Sequence, residues 1–559
     1  MKKLSLLILM LVLFACQTKR EQFTNPILAG FYPDPSICKV GEYYYLVTST
    51  FVYYPGIPVF RSKDLVNWKL ISYVIHKPEI FNVEGSRVSR GLFAPSIRYH
   101  DGLFYVSCTL IDRGGNFIST SADPEKGWSD PTWFPQVNGI DPSPYFDEDG
   151  RAYLIYNSIA PDNAPLYDGH RTIRIIEFGI DSLNAIGEES ILINGGTDLS
   201  KKPVWIEAPH IFKKDGYYYL IAAEGGTAYQ HSEVVFRSRS LTGPYISYEK
   251  NPILTQRHLD PKRTNPITTT GHADFVETEN GEWWAVFLGC RPYVDKDYYN
   301  NGRETFLAPV KWIDGWPVIN PDFDEVRYTY DYPLPKAETG SRPQSGNFIF
   351  KDDFSTDQLA LEWMFLRAPK EAWYSLSDKT GSLNLKVRPE QCTEYVNPSF
   401  VGHRQQHLNS SASTSLSLET QKENEKAGLL IFQNEEHFYF LCKSVADGKP
   451  VVQLYQSGVK DSSMLLLVSK PLDIATRDIR LKIESKGDQY AFYYATNNVD
   501  WISMDRNVDA KFLSTQVAGG FVGCIYAMYA TSLGEPSTAT ASFDWFSYEG
   551  DDDVYKQKQ

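Results

Sequence analysis

The sequence predicts an all-β protein, a five-bladed β-propeller followed by a β-sandwich. One short phrase recurs five times in the first part of the chain. Short runs of strand-forming residues bounded by Gly, Asp, Asn and Pro recur throughout, and no long stretch has helical periodicity. At 559 residues the chain is also longer than one hydrophobic core usually supports, which indicates two domains.

The repeated phrase defines the blades. Each copy has a Pro or Ala near its start, then a small apolar run, a polar turn and an aromatic strand. The copies read YPDPSICKVGEYYYL, LFAPSIRYHDGLFYV, IDPSPYFDEDGRAYL, IEAPHIFKKDGYYYL and GHADFVETENGEWWA. The aligned residues are Pro35, Pro95, Pro142, Pro209 and Ala273. Their spacing of roughly 50 to 70 residues is typical of a propeller with one four-stranded sheet per repeat.

Three acids stand at the starts of these repeats. Asp34 and Asp141 come directly before the aligned Pro, and Glu207 lies one residue earlier in its own copy. Equivalent positions on different blades surround one central channel, so these carboxyl groups are expected to converge. Glycoside hydrolysis uses such a set, with one carboxyl group as acid and another as base or nucleophile. The alternative is that Asp-Pro and Glu-Ala-Pro are turn residues at strand starts.

Side-chain reach and mutual repulsion suggest how the roles divide. Glu207 reaches furthest and is assigned as the acid, with Asp34 as the base and Asp141 as the modulator. A nearby like charge raises the pKa of one member and keeps it protonated near neutrality. His272 shares the repeat position of Asp34 and is expected to face the channel, where it holds a water or a cation or is simply structural. Arg303 follows the fifth copy and is a candidate to bind a sugar hydroxyl or a carboxylate.

Composition narrows the class of partner. The net charge is −14 and the pI is near 5.3, with no run of Lys or Arg beyond the first residues. Nucleic acid is therefore not an expected partner. Aromatic residues make up 14% of the chain, which suits both strand packing and the stacking of sugar faces on rings.

The first residues resemble a bacterial lipoprotein leader. Lys2-Lys3 precedes the apolar run LSLLILMLVLF, which is too short for a membrane span. The following Leu-Phe-Ala-Cys resembles a lipobox, so residues 1–15 are predicted to be a signal peptide and Cys16 the lipidated residue. This predicts a lipid-anchored protein of the bacterial cell envelope, on the periplasmic side or at the cell surface. Ordinary secretion is the alternative.

The other six cysteines predict neither a metal site nor a redox pair. None forms a CxxC pair, and no Cys/His spacing is typical of zinc. Most lie in apolar strand-like runs, where buried free thiols are common. They are Cys38, Cys108, Cys290, Cys392, Cys442 and Cys524.

Changes in residue composition and pattern along the chain predict its domain boundaries. Residues 22–335 hold the repeats and are predicted to be the propeller, and the polar, Gly/Ser/Pro-rich residues 336–347 are predicted to be a linker. Residues 348–549 alternate apolar and polar side chains over many short runs, which is typical of an antiparallel sandwich. Residues 550–559, with three Asp followed by Lys and Gln, are predicted to be a disordered tail.

Several longer segments resemble glycoside hydrolase family 43. In the propeller region they are NPILAGFYPDPSICKVGEYYYLVTSTF, GIDPSPYFDEDGRAYL, EAPHIF and NGRETFLAPVKW. In the last region PSFVGHRQQH and AGLLIFQNEEHFYF resemble the C-terminal sandwich of the β-xylosidase and α-L-arabinofuranosidase-like members. The resemblance covers nearly the whole chain after the leader. It implies a five-bladed propeller, a concanavalin-like jelly roll and an inverting mechanism.

The resemblance also implies roles for individual residues. Asp34 falls at the general base of the family, Asp141 at its pKa modulator and Glu207 at its general acid. An inverting mechanism implies base and acid carboxyl groups about 6.5–9.5 Å apart. The side chains expected beside the sugar are Phe51, Phe93, His272 and Arg303.

Some segments depart from the family pattern. TSTFVYYPG has Val52 and Tyr53 where related xylosidases often have Glu and Trp, and GLFAP has Phe93 where a Trp is common. Residues 158–170 have no counterpart, and no aromatic of the segment LSTQVAGGFVG is assigned to the pocket. These departures alter the pocket wall and leave the set of acids intact.

The expected function is exo-acting removal of a terminal pentose, β-D-xylose or α-L-arabinofuranose, from xylan, arabinoxylan or arabinan. The sequence leaves two alternatives, an endo-arabinanase-like hydrolase and a non-catalytic glycan-binding lipoprotein. No redox or group-transfer cofactor is expected, although a calcium ion near His272 is considered. The only expected membrane contact is the lipid anchor.

Overall fold

The computed structural model describes residues 21–293, 297–338, 340, 342–458, 463–497 and 500–556. The predicted signal peptide and Cys16 lie outside these residues. Within them the helices are one α-helical turn, Thr515–Ala518, and short 3-10 turns at Pro78–Ile80, Pro161–Asn163, Leu199–Lys201, Ala510–Leu513 and Asp553–Tyr555. No helix in this part of the chain is long and apolar enough to cross a membrane.

The first domain is a propeller of five antiparallel blades, as predicted. Blade 1 consists of Ser36–Val40, Tyr43–Val47, Gly56–Ser62 and Lys69–Ile75. Blade 2 consists of Ser96–His100, Leu103–Leu110, Gly115–Ser121 and Thr132–Trp133. Blade 3 consists of Ile140–Phe146, Ala152–Ile159, Arg171–Phe178 and Ala185–Asn194. Blade 4 consists of Glu207–Lys214, Tyr217–Glu224, Ser232–Ser238 and Ile246–Ser247, with Leu254–Thr255 also paired to its third strand. Blade 5 consists of Thr268–Glu277, Trp283–Cys290, Glu304–Ile313 and Trp316–Ile319.

The first strands of the five blades contact one another around the central axis. The ends of the propeller meet where Gln22–Thr24 pairs antiparallel with Thr329–Asp331. Phe23 in this closing pair stacks on Tyr330, with ring centroids 5.9 Å apart. The innermost strands therefore bring the starts of all five sequence repeats to one end of one channel.

The second domain is a sandwich of two antiparallel sheets, also as predicted. One sheet consists of Ile349–Asp352, Tyr374–Ser375, Leu383–Lys386, Asn409–Leu418, Asp478–Lys486, Gln489–Ala495, Ile502–Asp509 and Thr540–Gly550. The other consists of Tyr53–Tyr54, Met364–Leu366, Ser399–Arg404, Lys426–Asn434, His437–Ala446, Lys449–Ser457, Met464–Pro471 and Ile525–Thr531. Alternate apolar side chains of both sheets fill the space between them.

The two domains share a sheet. Tyr53–Tyr54 belongs to the blade 1 sequence, yet it pairs with Met364–Leu366 of the sandwich. Nearby, the Nε of Arg404 donates to the carbonyl oxygen of Phe31 at 2.7 Å. Between the domains the backbone N–H of Ala337 donates to Asp64 at 2.8 Å, so this end of the predicted linker lies against the propeller. The six described cysteines are all free and buried.

The prediction of a disordered tail is wrong for residues 550–556. The last strand extends to Gly550, and Asp552 is buried with its carboxylate 2.7 Å from the guanidinium of Arg291. The hydroxyl of Tyr555 accepts a second hydrogen bond from Arg291 at 2.9 Å. A buried cation needs such partners, which holds the acidic tail against the propeller. Residues 557–559 lie outside the described part.

Candidate active site

The acids reach the axis through an unusual backbone conformation. Asp34, Asp141, Ala208 and His272 have φ of 56°, 55°, 52° and 55°. In blades 3, 4 and 5 the pairing register of the first strand shifts at this point. Non-glycine residues rarely adopt positive φ, and a bulge of this kind re-aims a side chain. The shared conformation explains why the sequence repeat carries functional groups at equivalent places.

The channel end forms a cavity of about 330 Å³. All seven side chains predicted for the site line it: Asp34, Phe51, Phe93, Asp141, Glu207, His272 and Arg303. The sequence did not identify the other lining residues, which are Ala94, Ile140, Val204, Trp205, Gly226, Thr227 and Phe521. A cavity of this size lies at the small end of the range for small-molecule sites.

Asp34 is held as a carboxylate. Its side chain is 3% exposed, and Arg303 donates to both carboxylate oxygens, at 2.7 and 3.2 Å. The hydroxyl of Ser49 donates to the same carboxylate. Burial alone would raise the pKa of Asp34, but the charge of Arg303, with His272 and the Ser49 hydrogen bond, holds it below its ordinary value. Asp34 is therefore ionised at neutral pH.

The pKa values of Glu207 and Asp141 are both shifted upwards, opposite to that of Asp34. Burial and the charge of Asp34 raise the pKa of Glu207 to about 7. Burial and the charge of Glu207 also raise the pKa of Asp141. Asp141 accepts a hydrogen bond from the backbone N–H of Ala208 at 3.1 Å, which favours its ionised form. The two groups therefore hold a proton between them near neutrality.

His272 faces the same cavity as a neutral group. Its Nδ1 lies 3.7 Å from Asp34, and burial lowers its pKa to about 4. The following N–H, of Ala273, donates to the buried carboxyl of Glu233 at 2.9 Å. Among the residues that the structure describes, no group of three or more His, Cys, Asp or Glu side chains is arranged to hold a metal ion. A calcium ion near His272 remains a prediction.

Three phenylalanines form one wall. Phe51 stacks on Phe521 with centroids 5.9 Å apart, and Phe93 contacts both rings edge-on at 5.6 and 6.3 Å. The Arg303 guanidinium lies 5.6 Å from the Phe521 centroid. Phe521 comes from the sandwich, so the second domain completes the pocket. The polar Asp34–Arg303 pair and this aromatic wall give the mixed surface that a sugar ring requires.

Two of the missed residues differ in how far the sequence pointed to them. Trp205 lies two residues before Glu207, so it belongs to a segment that the sequence predicts to be functional. Phe521 lies in the loop LSTQVAGGFVG, and no local pattern shows that this loop crosses to the propeller. Its backbone N–H donates to the hydroxyl of Ser89 at 2.9 Å, a contact between residues far apart in sequence.

The chain matches models of two known domain families. Residues 23–317 match the glycosyl hydrolases family 43, and residues 351–549 match the beta xylosidase C-terminal concanavalin A-like domain. A xylosidase/arabinosidase of Butyrivibrio fibrisolvens is 37% identical, over 94% of this chain and 99% of its own length. A non-reducing end alpha-L-arabinofuranosidase of Bacteroides ovatus is 38% identical, over 95% of both chains.

Solved structures show the same architecture. The Bacteroides ovatus xyloglucan PUL GH43B structure superposes with a TM-score of 0.85 at 37% identity, covering 94% of this chain and 99% of that one. The predicted resemblance is thereby confirmed across both domains. The chain belongs to glycoside hydrolase family 43 and is a glycoside hydrolase with that family's C-terminal sandwich domain.

Proposed function

We propose that the protein is an inverting exo-glycosidase that removes a terminal β-D-xylose or α-L-arabinofuranose from plant cell-wall glycans. The observation that carries this proposal is the pairing, in one small cavity, of an ionised Asp34 with a carboxyl group that is protonated near neutrality, Glu207. A base and an acid in one site are what single-step glycoside hydrolysis needs.

The reaction follows from these protonation states. The Asp34 carboxylate takes a proton from a water molecule as its oxygen attacks the anomeric carbon. Glu207 gives its proton to the glycosidic oxygen as the bond to the leaving sugar breaks. Asp34 ends protonated and Glu207 ionised, and exchange of one proton with solvent restores both. Burial and the charge of Asp34 raise the pKa of Glu207 and so favour its protonated form.

The shape of the cavity supports an exo mode of attack. The space of about 330 Å³ is walled by Phe51, Phe93 and Phe521, the last contributed by the sandwich. An endo-acting enzyme needs a cleft open at both ends, and this wall favours a pocket for one terminal unit. The names of the similar enzymes, xylosidase/arabinosidase and α-L-arabinofuranosidase, support a pentose as that unit. The proposed substrates are xylan, arabinoxylan or arabinan chains.

The chemistry proposed here uses only side chains and water, and hydrolysis in this family requires no cofactor. Calcium would act near His272 as a structural ion rather than as a reactant. Addition of a chelator, followed by activity and thermal-unfolding measurements, tests that part: a calcium site predicts a lower Tm after chelation.

Hydrolysis of 4-nitrophenyl β-D-xylopyranoside and α-L-arabinofuranoside tests the proposed function. Wild type is expected to release nitrophenol from at least one of them, and Asp34→Ala to release none because the attacking water loses its base. The ratio of the two rates identifies the preferred sugar. Binding of xylo- or arabino-oligosaccharides by wild type without hydrolysis of either glycoside or of the oligosaccharides would instead support a non-catalytic glycan-binding protein.

We also propose that Cys16 carries a lipid anchor in the bacterial envelope. The support is the lipobox-like Leu-Phe-Ala-Cys after an apolar run. Wild type is expected in the membrane fraction of the producing cells and Cys16→Ser in the soluble fraction. Equal distribution of both would contradict the anchor. Protease shaving of intact cells then distinguishes the surface from the periplasmic side.

A further inference from the structure

A segment of blade 3 braces the loop that precedes Glu207. Residues 160–170 connect Ala152–Ile159 to Arg171–Phe178, in the region where the sequence departs from the family pattern. The carbonyl oxygen of Gly169 accepts from the backbone N–H of Trp205 at 2.8 Å. This hydrogen bond fixes the loop where Trp205 has a φ of 57°.

Trp205 lies between a cation and the candidate acid. The guanidinium of Arg171 lies over the indole ring, 3.9 Å from its centroid. Hydrogen bonding from the Trp205 side chain, whose only donor is the indole N–H, lowers the pKa of Glu207, so this edge of the ring faces the acid. Trp205 is half-buried and lines the cavity together with Val204, whose side chain is exposed. One face of the ring is thus covered by Arg171, and one edge faces the acid.

We propose that Trp205, backed by Arg171, is the binding platform for the leaving-group sugar and positions Glu207 for proton transfer. This inference rests on the proposed function. The acid must lie beside the glycosidic oxygen, so a ring that lines the same cavity two residues before that acid lies next to the unit being released. Sugar faces stack on aromatic rings, and the cation over the other face holds this ring in place.

The side chains that line the cavity thus fall into two groups, one for each of the two sugar units on either side of the scissile bond. The three phenylalanines and the Asp34–Arg303 pair contact the terminal pentose, whereas Trp205 and Val204 contact the next unit. Loss of the Trp205 ring should therefore weaken only those substrates that have a sugar in the leaving position. Loss of its N–H alone should act on Glu207, because that hydrogen bond lowers the pKa of the carboxyl group.

The test compares two substrates with the same terminal pentose. One is xylobiose or arabinobiose, whichever pentose wild type prefers, and the other is the corresponding glycosyl fluoride, whose leaving group is a single ion. Trp205→Ala should raise KM for the disaccharide about tenfold, a loss of about 1.4 kcal/mol, and change KM for the fluoride less than twofold. Trp501→Ala, which removes a partly exposed ring on the sandwich, is the matched control.

Trp205→Phe separates stacking from the hydrogen bond. It should keep KM for the disaccharide within about threefold, because a ring remains. The basic limb of its kcat/KM profile should move to higher pH, because Glu207 loses a donor that stabilises the carboxylate. This milder change keeps the proposal testable if the alanine variant does not fold.

Each outcome has one meaning. Equal loss on disaccharide and fluoride with Trp205→Ala would place the ring against the terminal pentose and overturn the proposal. Unchanged kinetics on both substrates would overturn it as well. Wild type that hydrolyses neither substrate would contradict the proposed function itself, a result distinct from both.

Discussion

At the scale of single residues, one backbone conformation serves several functions. Asp34, Asp141 and His272 sit at positive φ, each in or just before the inner strand of its blade, and all three line the cavity at the channel end. Such conformations cost about 1–3 kcal/mol each and persist where neighbours hold them. Here the carboxylate of Asp141 bonds the N–H of Ala208, so one blade's acid supports the next blade's bulge. The site is therefore built from interactions between blades.

The opposite pKa shifts of Asp34 and Glu207 predict the pH dependence of kcat/KM. Activity requires ionised Asp34 and protonated Glu207. The pKa of Asp34 is held below its ordinary value, so activity should rise with pH only at strongly acidic pH. It should fall as pH rises through about 7, where Glu207 loses its proton. A pH–rate profile with its basic limb below pH 5 would contradict the assignment of Glu207.

Removal of the acid should depend on the leaving group. Glu207→Ala is expected to lower kcat/KM on oligosaccharides by roughly 10²–10⁴-fold, since the departing oxygen lacks a proton donor. Nitrophenyl glycosides should retain most activity because their leaving group needs no proton. Glu188→Gln, at an exposed acid on blade 3, is the control. Equal loss on both substrate types would remove Glu207 from the acid role.

The acids were predictable because they recur at fixed places in a repeat. Trp205 was not, because an isolated Trp between strands is equally typical of packing. Its role depends on Arg171, which contacts the Trp205 ring in the fold but shares no sequence pattern with it. At this scale the sequence shows which groups are repeated, whereas the partners that tune them come from the fold.

At the scale of elements, the loop 514–524 of the sandwich straps the propeller. The N–H of Cys524 donates to the carbonyl oxygen of Asn300 at 2.7 Å, and the hydroxyl of Ser514 accepts from the N–H of Tyr299 at 3.1 Å. The strapped segment leads directly into Arg303. The loop 514–524 therefore sets the distance between the Phe521 side of the aromatic wall and the Asp34–Arg303 pair.

A methyl group added inside the loop 514–524 should displace Phe521 from the aromatic wall. A Cβ at Gly523 would lie 2.6 Å from the carbonyl carbon of Asn301, which forces the two backbones apart. Gly523→Ala is expected to raise KM about 5- to 10-fold, as Phe521→Ala should, through loss of aromatic contact with the sugar.

Steady-state kinetics of Gly523→Ala and Phe521→Ala check this, with Val517→Ala, an exposed side chain in the same loop, as control. A Gly523→Ala variant with wild-type KM would show that the strap does not position Phe521. The effect was not predictable from the sequence, because the close approach involves two loops from different domains.

At the scale of the whole molecule, a shared sheet joins the two domains. The strand pair Tyr53–Tyr54 with Met364–Leu366 extends a sandwich sheet into blade 1, and Arg404 reaches the chain just before Asp34. The blade count and the sandwich were predictable, because repeats and alternation are local patterns. The shared sheet was not, since a strand of two residues leaves no pattern.

The tail shows the same coupling. Asp552 pairs with buried Arg291, which also binds Glu304 at 2.6 Å. Asp552→Ala should therefore destabilise the protein by about 3 kcal/mol, because a buried cation loses one of its partners. Chemical denaturation measures this, with exposed Asp553→Ala as the matched control. Equal stability of the two variants would contradict a structural role for the tail.

The most direct test of the proposed mechanism is the anomer released first. Proton NMR during hydrolysis of a β-xyloside by wild type should show α-xylose before mutarotation, or the β-anomer first from an α-L-arabinofuranoside. That result follows from direct attack of the water activated by Asp34. First release of the anomer with the substrate's own configuration would require a covalent intermediate and would contradict Asp34 as a general base.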